Sequence, residues 1–97
     1  MDIKKETKEY LNFVRSHPCM VCSEARVDAD HLQARGIGGA SKHKGTHTGT
    51  LLDFSVVPLC RIHHTERHSI GTKSFQEKYK VSLWREAFML LRSWYVE

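Results

Sequence analysis

Apolar residues recur at helical spacing in two stretches near the ends of the chain. Residues 2–15 carry a loose apolar stripe between Lys and Glu positions, and Pro18 follows soon after, which predicts an N-terminal helix. A final helix is predicted from Ser82, because apolar side chains repeat there with a period of about 3.6 residues and are expected to pack into the core. The members of this second stripe are Trp84, Ala87, Phe88, Leu91, Trp94 and Tyr95.

Between these helices the pattern becomes short and extended. A tight knuckle at residues 19–22 precedes a predicted strand at 27–31, and residues 54–58 form the second strand of a hairpin that Pro58 ends. The segment 33–50 between the strands holds five of the six glycines, which predicts a long loop.

Two more helices are predicted between the hairpin and the last helix. Residues 61–69 form a short helix with Gly71 as its stop. Ser74 with Glu77 offers a capping box that opens the next helix, which runs to about Lys80. The whole pattern predicts an α+β fold: a small hairpin-and-helix core with one helix before it and two after it.

Composition supports a globular protein of ordinary kind. The 97 residues suit one domain over positions 1–97, and the 40% hydrophobic and 27% charged shares argue against wholesale disorder. The longest unbroken apolar run, 87–91, is far shorter than the roughly 20 residues that span a bilayer. No apolar stretch follows the charged start, so we expect neither a membrane span nor a secretory signal. The expected location is the cytoplasm.

Net charge and the number of histidines and cysteines indicate what the protein binds. Fifteen Lys and Arg against eleven Asp and Glu give a formal net charge of +4, which suits a polyanionic partner. Seven histidines accompany three cysteines, and an odd cysteine count argues against a closed disulfide framework. Metal binding is therefore the favoured interpretation of these residues.

The segment 60–68 predicts two metal sites on one helix. Residues three or four apart share a helix face, so Cys60 and His63 point one way while His64 and His68 point another. One short helix can therefore contribute ligands to two separate ions.

The first predicted site is structural zinc. Cys19 and Cys22 supply two thiolates, and Cys60 with His63 supplies a third thiolate and an imidazole. Four nitrogen and sulfur ligands with no open position are typical of structural zinc. Such an ion stabilises a domain whose hydrophobic core is too small by itself. The alternative is three ordinary buried cysteines.

The second predicted site needs a partner for His64 and His68. Asp30 is the natural candidate, and its neighbour His31 then points to the other side of the strand. One carboxylate and two imidazoles leave positions for water and substrate, which suits attack on phosphorus. Alternatively, Asp30 is a surface carboxylate and His31 a satisfied loop histidine.

Three stretches, 18–22, 27–31 and 56–68, resemble the HNH (ββα-metal) endonucleases, particularly the small phage-encoded type. That family folds as a β-hairpin followed by a helix that clamps one divalent ion, here over about 18–71. The resemblance implies metal-assisted hydrolysis of nucleic-acid phosphodiesters that leaves 5′-phosphate and 3′-hydroxyl ends. It also implies DNA as partner and, for a phage protein, the bacterial host cytoplasm.

The resemblance carries roles to individual positions. His31 is implied as the general base that deprotonates a water. The implied metal ligands are Asp30, His64 and His68 for a catalytic Mg²⁺, Mn²⁺ or other divalent ion, and Cys19, Cys22, Cys60 and His63 for structural Zn²⁺.

The chain departs from the family pattern at two positions. Ser55 stands where the family usually has the Asn that orients the base. The orienting role then falls to the Ser55 hydroxyl, to Asp53 or to a backbone carbonyl. His63 replaces a fourth cysteine, which is chemically harmless because Cys3His sites are common.

Basic residues supply candidate phosphate contacts. The loop between the strands contains no acidic residue, and two arginines lie on the metal-binding helix; the candidates are Arg35, Lys42, Lys44, Arg61 and Arg67. Such contacts predict weak sequence specificity and strong salt dependence. The alternative is a merely solvated basic loop.

Two other functions remain open from the sequence. A zinc-stapled module could bind nucleic acid with weak or no catalysis, as the Ser55 departure favours. A protein-interaction domain could use the second cluster as a surface metal site only. A homodimer or a partner protein is compatible with each.

Overall fold

The computed structural model describes residues 3–32 and 51–96, which form four α-helices, one 3₁₀ helix and a two-stranded sheet. In chain order the elements are α1 (Ile3–Arg15), β1 (Asp28–His31), the 3₁₀ helix (Leu51–Phe54), β2 (Val56–Leu59), α2 (Arg61–Ile70), α3 (Thr72–Tyr79) and α4 (Leu83–Val96). The predicted α+β class is confirmed, with one helix before the hairpin-and-helix unit and two after it. The predicted loop between the strands lies outside the described residues.

The two strands form an antiparallel hairpin whose register separates two kinds of chemistry. Asp30 lies opposite Val57, and His31 lies opposite Val56. Successive side chains of a strand point to opposite faces, so the Asp30 face and the His31 face are different sides of the sheet. A single step along β1 therefore sends the carboxylate to one side and the imidazole to the other.

The second strand is shifted along the chain from its predicted position. Phe54 ends the 3₁₀ helix, and β2 continues through Pro58 to Leu59. Proline is tolerated because each strand of the described sheet has one edge without a ladder partner. The Pro58 carbonyl also accepts a hydrogen bond from the Met20 N–H at 3.0 Å. The prediction that Pro58 ends the strand is therefore wrong.

One glycine joins two helices without a loop between them. Gly71 has φ of 90°, and its N–H donates to the Arg67 carbonyl at 2.9 Å, which ends α2 as predicted. The predicted capping box at Ser74 is wrong, because α3 already begins at Thr72. The Phe75 N–H donates to the Gly71 carbonyl at 3.0 Å, so the glycine itself starts the next helix.

Buried side chains pack on both faces of the hairpin. On one face, Tyr10 and Val14 of α1 pack with Val56 of β2. The cluster that includes Val57 consists of Cys19, Val57, Leu59, Cys60, Phe75, Leu83 and Ala87. Adjacent valines of β2 thus belong to different clusters, as the alternation of a strand requires. Neither cluster is large, so the two depend on the connections between them.

Helix α4 buries only half of the predicted apolar stripe. Its buried residues are Leu83, Ala87 and Leu90, and Leu91 and Trp94 pack partly against the core. Three members of the predicted stripe are exposed: Trp84 at 37%, Phe88 at 61% and Tyr95 at 81%. Because α4 is apolar on more than one side, its periodicity alone does not choose the buried face. None of the helices in residues 3–32 and 51–96 could span a membrane.

Tyr10 provides a test of the packing around α1. The side chain is fully buried against Phe54 and Trp94, with ring centroids 5.2 and 5.0 Å away. Its hydroxyl has no hydrogen-bond partner among the described residues, and burial raises the pKa of Tyr10 to about 12. We expect Tyr10→Phe to raise the free energy of unfolding by about 1 kcal/mol, because it removes an unpaired buried hydroxyl. Urea denaturation measures the change.

The matched control is Tyr95→Phe, because Tyr95 is 81% exposed. Its effect should stay within about 0.5 kcal/mol of wild type. A loss of stability for Tyr10→Phe would contradict the expectation and indicate that the hydroxyl has a partner in the folded protein.

Candidate active site and metal centres

Four side chains from two distant segments form the first cluster, which we call the Cys3His cluster. Cys19 and Cys22 come from the turn before β1, and Cys60 and His63 come from the junction of β2 with α2. The four ligand atoms all lie within 4.8 Å of one another. Cys60 Sγ is 3.2 Å from His63 Nδ1, and Cys22 Sγ is 3.7 Å from Cys60 Sγ. The structure therefore brings the predicted zinc ligands together.

Local backbone geometry explains how this cluster forms. Cys60 is the N-cap of α2, and one helical turn returns His63 to the same side. In the other segment, the Cys19 N–H donates to the Glu24 carbonyl at 2.9 Å and the Ser23 N–H donates to the Cys19 carbonyl at 2.8 Å. Ser23 takes a left-handed conformation with φ of 69°, which closes the knuckle. Both pairs of ligands are thus held by short, rigid turns.

The thiols of the knuckle differ in acidity. Burial opposes ionisation of Cys19, but backbone N–H groups of Cys60, Cys22 and Val21 outweigh it and lower the pKa of the thiol to about 6. At Cys22 the Glu24 N–H favours the thiolate, yet desolvation and the neighbouring thiols raise the pKa above its ordinary value. The lowered pKa favours the thiolate of Cys19, which is the form of cysteine that binds metals.

The donor set fits structural zinc. Two thiolates bonded to one tetrahedral zinc ion at about 2.3 Å lie about 3.8 Å apart. The observed distance of 3.7 Å between Cys22 Sγ and Cys60 Sγ agrees with that spacing. Three sulfur ligands and one nitrogen ligand complete a tetrahedron without an open position, which is typical of a structural site.

The second cluster, which we call the Asp-His-His cluster, lies on the Asp30 face of the hairpin. Asp30 Oδ1 is 3.3 Å from His64 Nε2 and 3.2 Å from His68 Nε2. The Asp30 side chain is fully buried, whereas that of His68 is 55% exposed. One carboxylate oxygen and two imidazole nitrogens therefore meet at a site that reaches solvent on one side.

A second carboxylate orients one of these imidazoles. His64 Nδ1 lies 2.9 Å from Asp28 Oδ2, which leaves Nε2 facing Asp30. A metal-binding histidine commonly has such a carboxylate on its other ring nitrogen. Sequence reasoning missed Asp28, although the signal was available: residues two apart on a strand share a face, so Asp28 accompanies Asp30.

Arg67 occupies a different position from the one predicted for a phosphate contact. It is 6% exposed, and its Nε and Nη2 donate to the two carboxylate oxygens of Asp30 at 2.5 and 3.0 Å. A guanidinium engaged in this way faces the protein interior. The difference arises because an arginine on α2 next to His68 falls on the side of the helix that packs on β1.

On the opposite face of the hairpin, His31 contacts a buried carboxylate. His31 Nε2 lies 2.7 Å from Asp53 Oδ1, and the Asp53 side chain is fully buried. The Ser55 hydroxyl donates to the Leu52 carbonyl at 2.7 Å, and the Ser55 carbonyl accepts from the Leu32 N–H at 2.7 Å. The Asp53 carboxylate, which is one of the three groups expected to orient His31, is thus hydrogen-bonded to the imidazole.

The remaining basic candidates fall into two groups. Arg35, Lys42 and Lys44 lie outside the described residues. The Arg61 side chain is 77% exposed, and its Nη2 lies 3.3 Å from Asp28 Oδ2. Arg61 therefore stands at the solvent edge of the Asp-His-His cluster.

Comparison with known proteins identifies the relationship. A family described as "Putative HNHc nuclease" matches residues 1–88, which include both clusters and His31. The chain belongs to this HNH nuclease family. The resemblance found in the sequence is confirmed, and membership implies a metal ion.

A relative in Escherichia coli (strain K12) bears the name "Uncharacterized protein YdfU". It is 38% identical over 72 residues, which make up 74% of this chain and 18% of the relative. The chain thus spans less than a fifth of the length of that relative. No solved structure matches the chain significantly.

A small domain of this fold should depend on its Cys3His cluster for stability. We expect Cys60→Ala to lose bound zinc and to be largely unfolded, because structural zinc contributes about 10 kcal/mol or more to folding in small domains. Elemental analysis of the purified protein measures the zinc, and circular dichroism measures the helix content.

His68→Ala is the control, since it removes an imidazole from the same helix without touching the Cys3His cluster. It should keep its zinc and its helical spectrum. If Cys60→Ala retained wild-type zinc content, the assignment of the cluster as a structural zinc site would be wrong.

Proposed function

We propose that this HNH family member is an endonuclease that hydrolyses DNA phosphodiester bonds. His31 acts as the general base, and Asp30, His64 and His68 hold a divalent ion such as Mg²⁺ or Mn²⁺. The observation that carries the proposal is that two neighbouring residues of β1, Asp30 and His31, have different partners. Asp30 enters a group of imidazoles suited to a cation, while His31, one residue later, is oriented by a buried carboxylate.

The Asp53 contact gives His31 the form that a general base requires. A neutral imidazole that donates from Nε2 to Asp53 Oδ1 carries its lone pair on Nδ1. Nδ1 is then the atom that accepts a proton from an attacking water. The carboxylate also stabilises the imidazolium produced by that transfer, so the residue is held in position and balanced in charge.

The Asp-His-His cluster has the chemistry of a divalent cation site. Its oxygen and two nitrogen donors leave room for further ligands, and His68 lies at the solvent side. A divalent ion held there would supply positive charge against the phosphate and the departing 3′ oxygen. Asp28 maintains the ring orientation of His64 that this arrangement needs.

Phosphate binding draws on the basic residues. Arg61 is exposed beside the cluster, where its guanidinium contacts Asp28. A bound phosphate could replace Asp28 as the partner of this guanidinium. The net charge of +4 favours a polyanion in general. We extend the role to Arg35, Lys42 and Lys44 from their positions in the sequence alone.

The second candidate function is a zinc-stapled module that binds nucleic acid with little or no catalysis. The specific observation in its favour concerns Ser55, which stands where the family usually has an asparagine. Its hydroxyl donates a hydrogen bond to the nearby Leu52 carbonyl. The two functions differ in whether a bound DNA is cut.

Cleavage of supercoiled plasmid tests the proposal directly. Zinc-loaded wild-type protein with Mg²⁺ or Mn²⁺ should convert the plasmid to open-circle or linear DNA. His31→Ala should cut about 10² to 10⁴ times more slowly, which is the usual contribution of a general base. Gel electrophoresis separates the three plasmid forms.

Salt-sensitive gel shifts with the same samples report binding independently of cutting. Equal binding by wild type and His31→Ala would show that the variant has lost chemistry only. Binding without cleavage by either protein would favour the binding module, and absence of both would favour a protein-interaction domain.

Asp53 and Ser55 make separable contributions in this proposal. We expect Asp53→Asn to lower kcat by about 10- to 100-fold with KM little changed, because the imidazole loses its charged partner. Ser55→Ala should lower kcat by less than about tenfold, since the hydrogen bond from the hydroxyl to the Leu52 carbonyl is a neutral one.

Steady-state nicking rates on a defined duplex measure both parameters, and thermal unfolding checks that each variant is folded. A larger kcat defect for Ser55→Ala than for Asp53→Asn would transfer the orienting role to Ser55.

A further inference from the structure

Arg67 is the buried arginine of the described part of the chain, and nearly all its donors are used. Besides the two bonds to Asp30, its Nη1 donates to Thr72 Oγ1 at 2.8 Å and its Nη2 to the His31 carbonyl at 3.2 Å. One guanidinium thus joins β1, α2 and the start of α3. No step of the proposed hydrolysis uses this residue.

The Asp30 carboxylate needs a positive partner inside the fold. A buried ionised carboxylate is strongly unfavourable unless it is paired and hydrogen-bonded. In the Asp-His-His cluster the two histidines supply that charge only when protonated, whereas a guanidinium is always charged. Arg67 therefore meets the requirement whether or not a divalent ion is present.

We propose that Arg67 is the resident counter-charge of Asp30, which makes the fold independent of the divalent ion and keeps that ion weakly held. The inference rests on the cation site of the proposed function. Arg67 acts in two ways there: it neutralises the carboxylate beforehand, and it repels a second positive charge.

Geometry places the Arg67 charge next to the cation site. Arg67 engages both oxygens of Asp30: Oδ2 accepts from Nε, and Oδ1 accepts from Nη2 at 3.0 Å. Oδ1 is also the oxygen close to His64 Nε2 and His68 Nε2, and Arg67 Nη2 lies 3.3 Å from His68 Nε2. The guanidinium therefore stands beside the atoms that would hold a cation, so its charge opposes cation binding at short range.

A merely structural role for Arg67 makes a different prediction. If the side chain only ties α3 to β1 through Thr72 and the His31 carbonyl, its loss should lower stability by the same amount with and without a divalent ion. If it is the counter-charge of Asp30, an added cation should replace it and restore the lost stability.

The experiment uses the full chain loaded with one equivalent of zinc and takes Mn²⁺ as the probe. Isothermal titration calorimetry gives the Mn²⁺ affinity, and thermal unfolding with and without Mn²⁺ gives the shift in Tm. We expect Arg67→Gln to bind Mn²⁺ at least about tenfold more tightly than wild type, because one repelling charge is gone. Its Tm should be lower than that of wild type without Mn²⁺ and should rise more on addition of Mn²⁺.

Two control variants separate charge from shape. Arg67→Lys keeps the charge and loses the planar fork, so its Mn²⁺ affinity should not exceed that of wild type. Arg61→Gln removes a charge from the same helix at a side chain that is 77% exposed. It should change Mn²⁺ affinity by less than Arg67→Gln does, because solvent screens the charge.

Each further result decides the question. Mn²⁺ affinity of Arg67→Gln equal to or below that of wild type, which itself binds, would overturn the inference and leave the cation site intact. Absence of binding by every variant would overturn both. If Arg67→Gln folds only with Mn²⁺, the inference is supported; if it stays unfolded with Mn²⁺ while the Asp30→Asn/Arg67→Gln double variant folds, the inference is overturned.

Discussion

The rotational phase of α2 is the constraint on which the arrangement of both sites depends. Cys60 is at once a member of the Cys3His cluster and the N-cap of the helix. Once this residue and His63 face the knuckle, the 100° step per residue directs His64 and His68 toward the hairpin. A helix of ten residues and its N-cap thereby serve two clusters: the first cluster takes Cys60 and His63, and the second takes His64 and His68. Rotating the helix to improve one cluster would dismantle the other.

The hairpin imposes the matching constraint from its side. Asp30 and His31 are neighbours in sequence, yet the pleat of β1 places them on opposite faces. Each face provides a buried partner of opposite polarity: Arg67 for the Asp30 carboxylate, and the Asp53 carboxylate for the His31 imidazole. Polar groups buried in pairs of this kind fix each other's orientation, because each supplies the hydrogen-bond partner that the other needs inside the fold.

These polar pairs matter more here than in a larger protein. The two apolar clusters on the faces of the hairpin are small, and the described chain gains further connection from the Cys3His cluster and from the Arg67 bonds that reach α3. The residues that organise the candidate chemistry are thus also residues that hold the elements together. In this fold, stability and the geometry of the site are not separate properties of separate residues.

The sequence by itself determined the fold class and named the candidate members of both clusters. Spacings of three and four residues on a helix, and two-residue gaps in a knuckle, are local geometry, so spacing alone is enough to group Cys19, Cys22, Cys60 and His63. The predicted hairpin strands agree with the observed ones to within two residues for the same reason, since alternation and turn residues act over short range.

Only the tertiary structure decided which partners those residues meet. The carboxylate opposite His31, the burial of Arg67 and the exposed face of α4 depend on contacts between distant segments, which no local pattern encodes. Asp53 and Ser55 lie two residues apart and are equally suited by sequence to orient His31, but the 3₁₀ helix carries the Asp53 carboxylate to the imidazole. Arg67 has the charge of a phosphate contact, and packing of α2 on β1 makes it the partner of Asp30. The sequence thus determines which chemical groups are present, whereas the packing of the elements determines which group each side chain contacts.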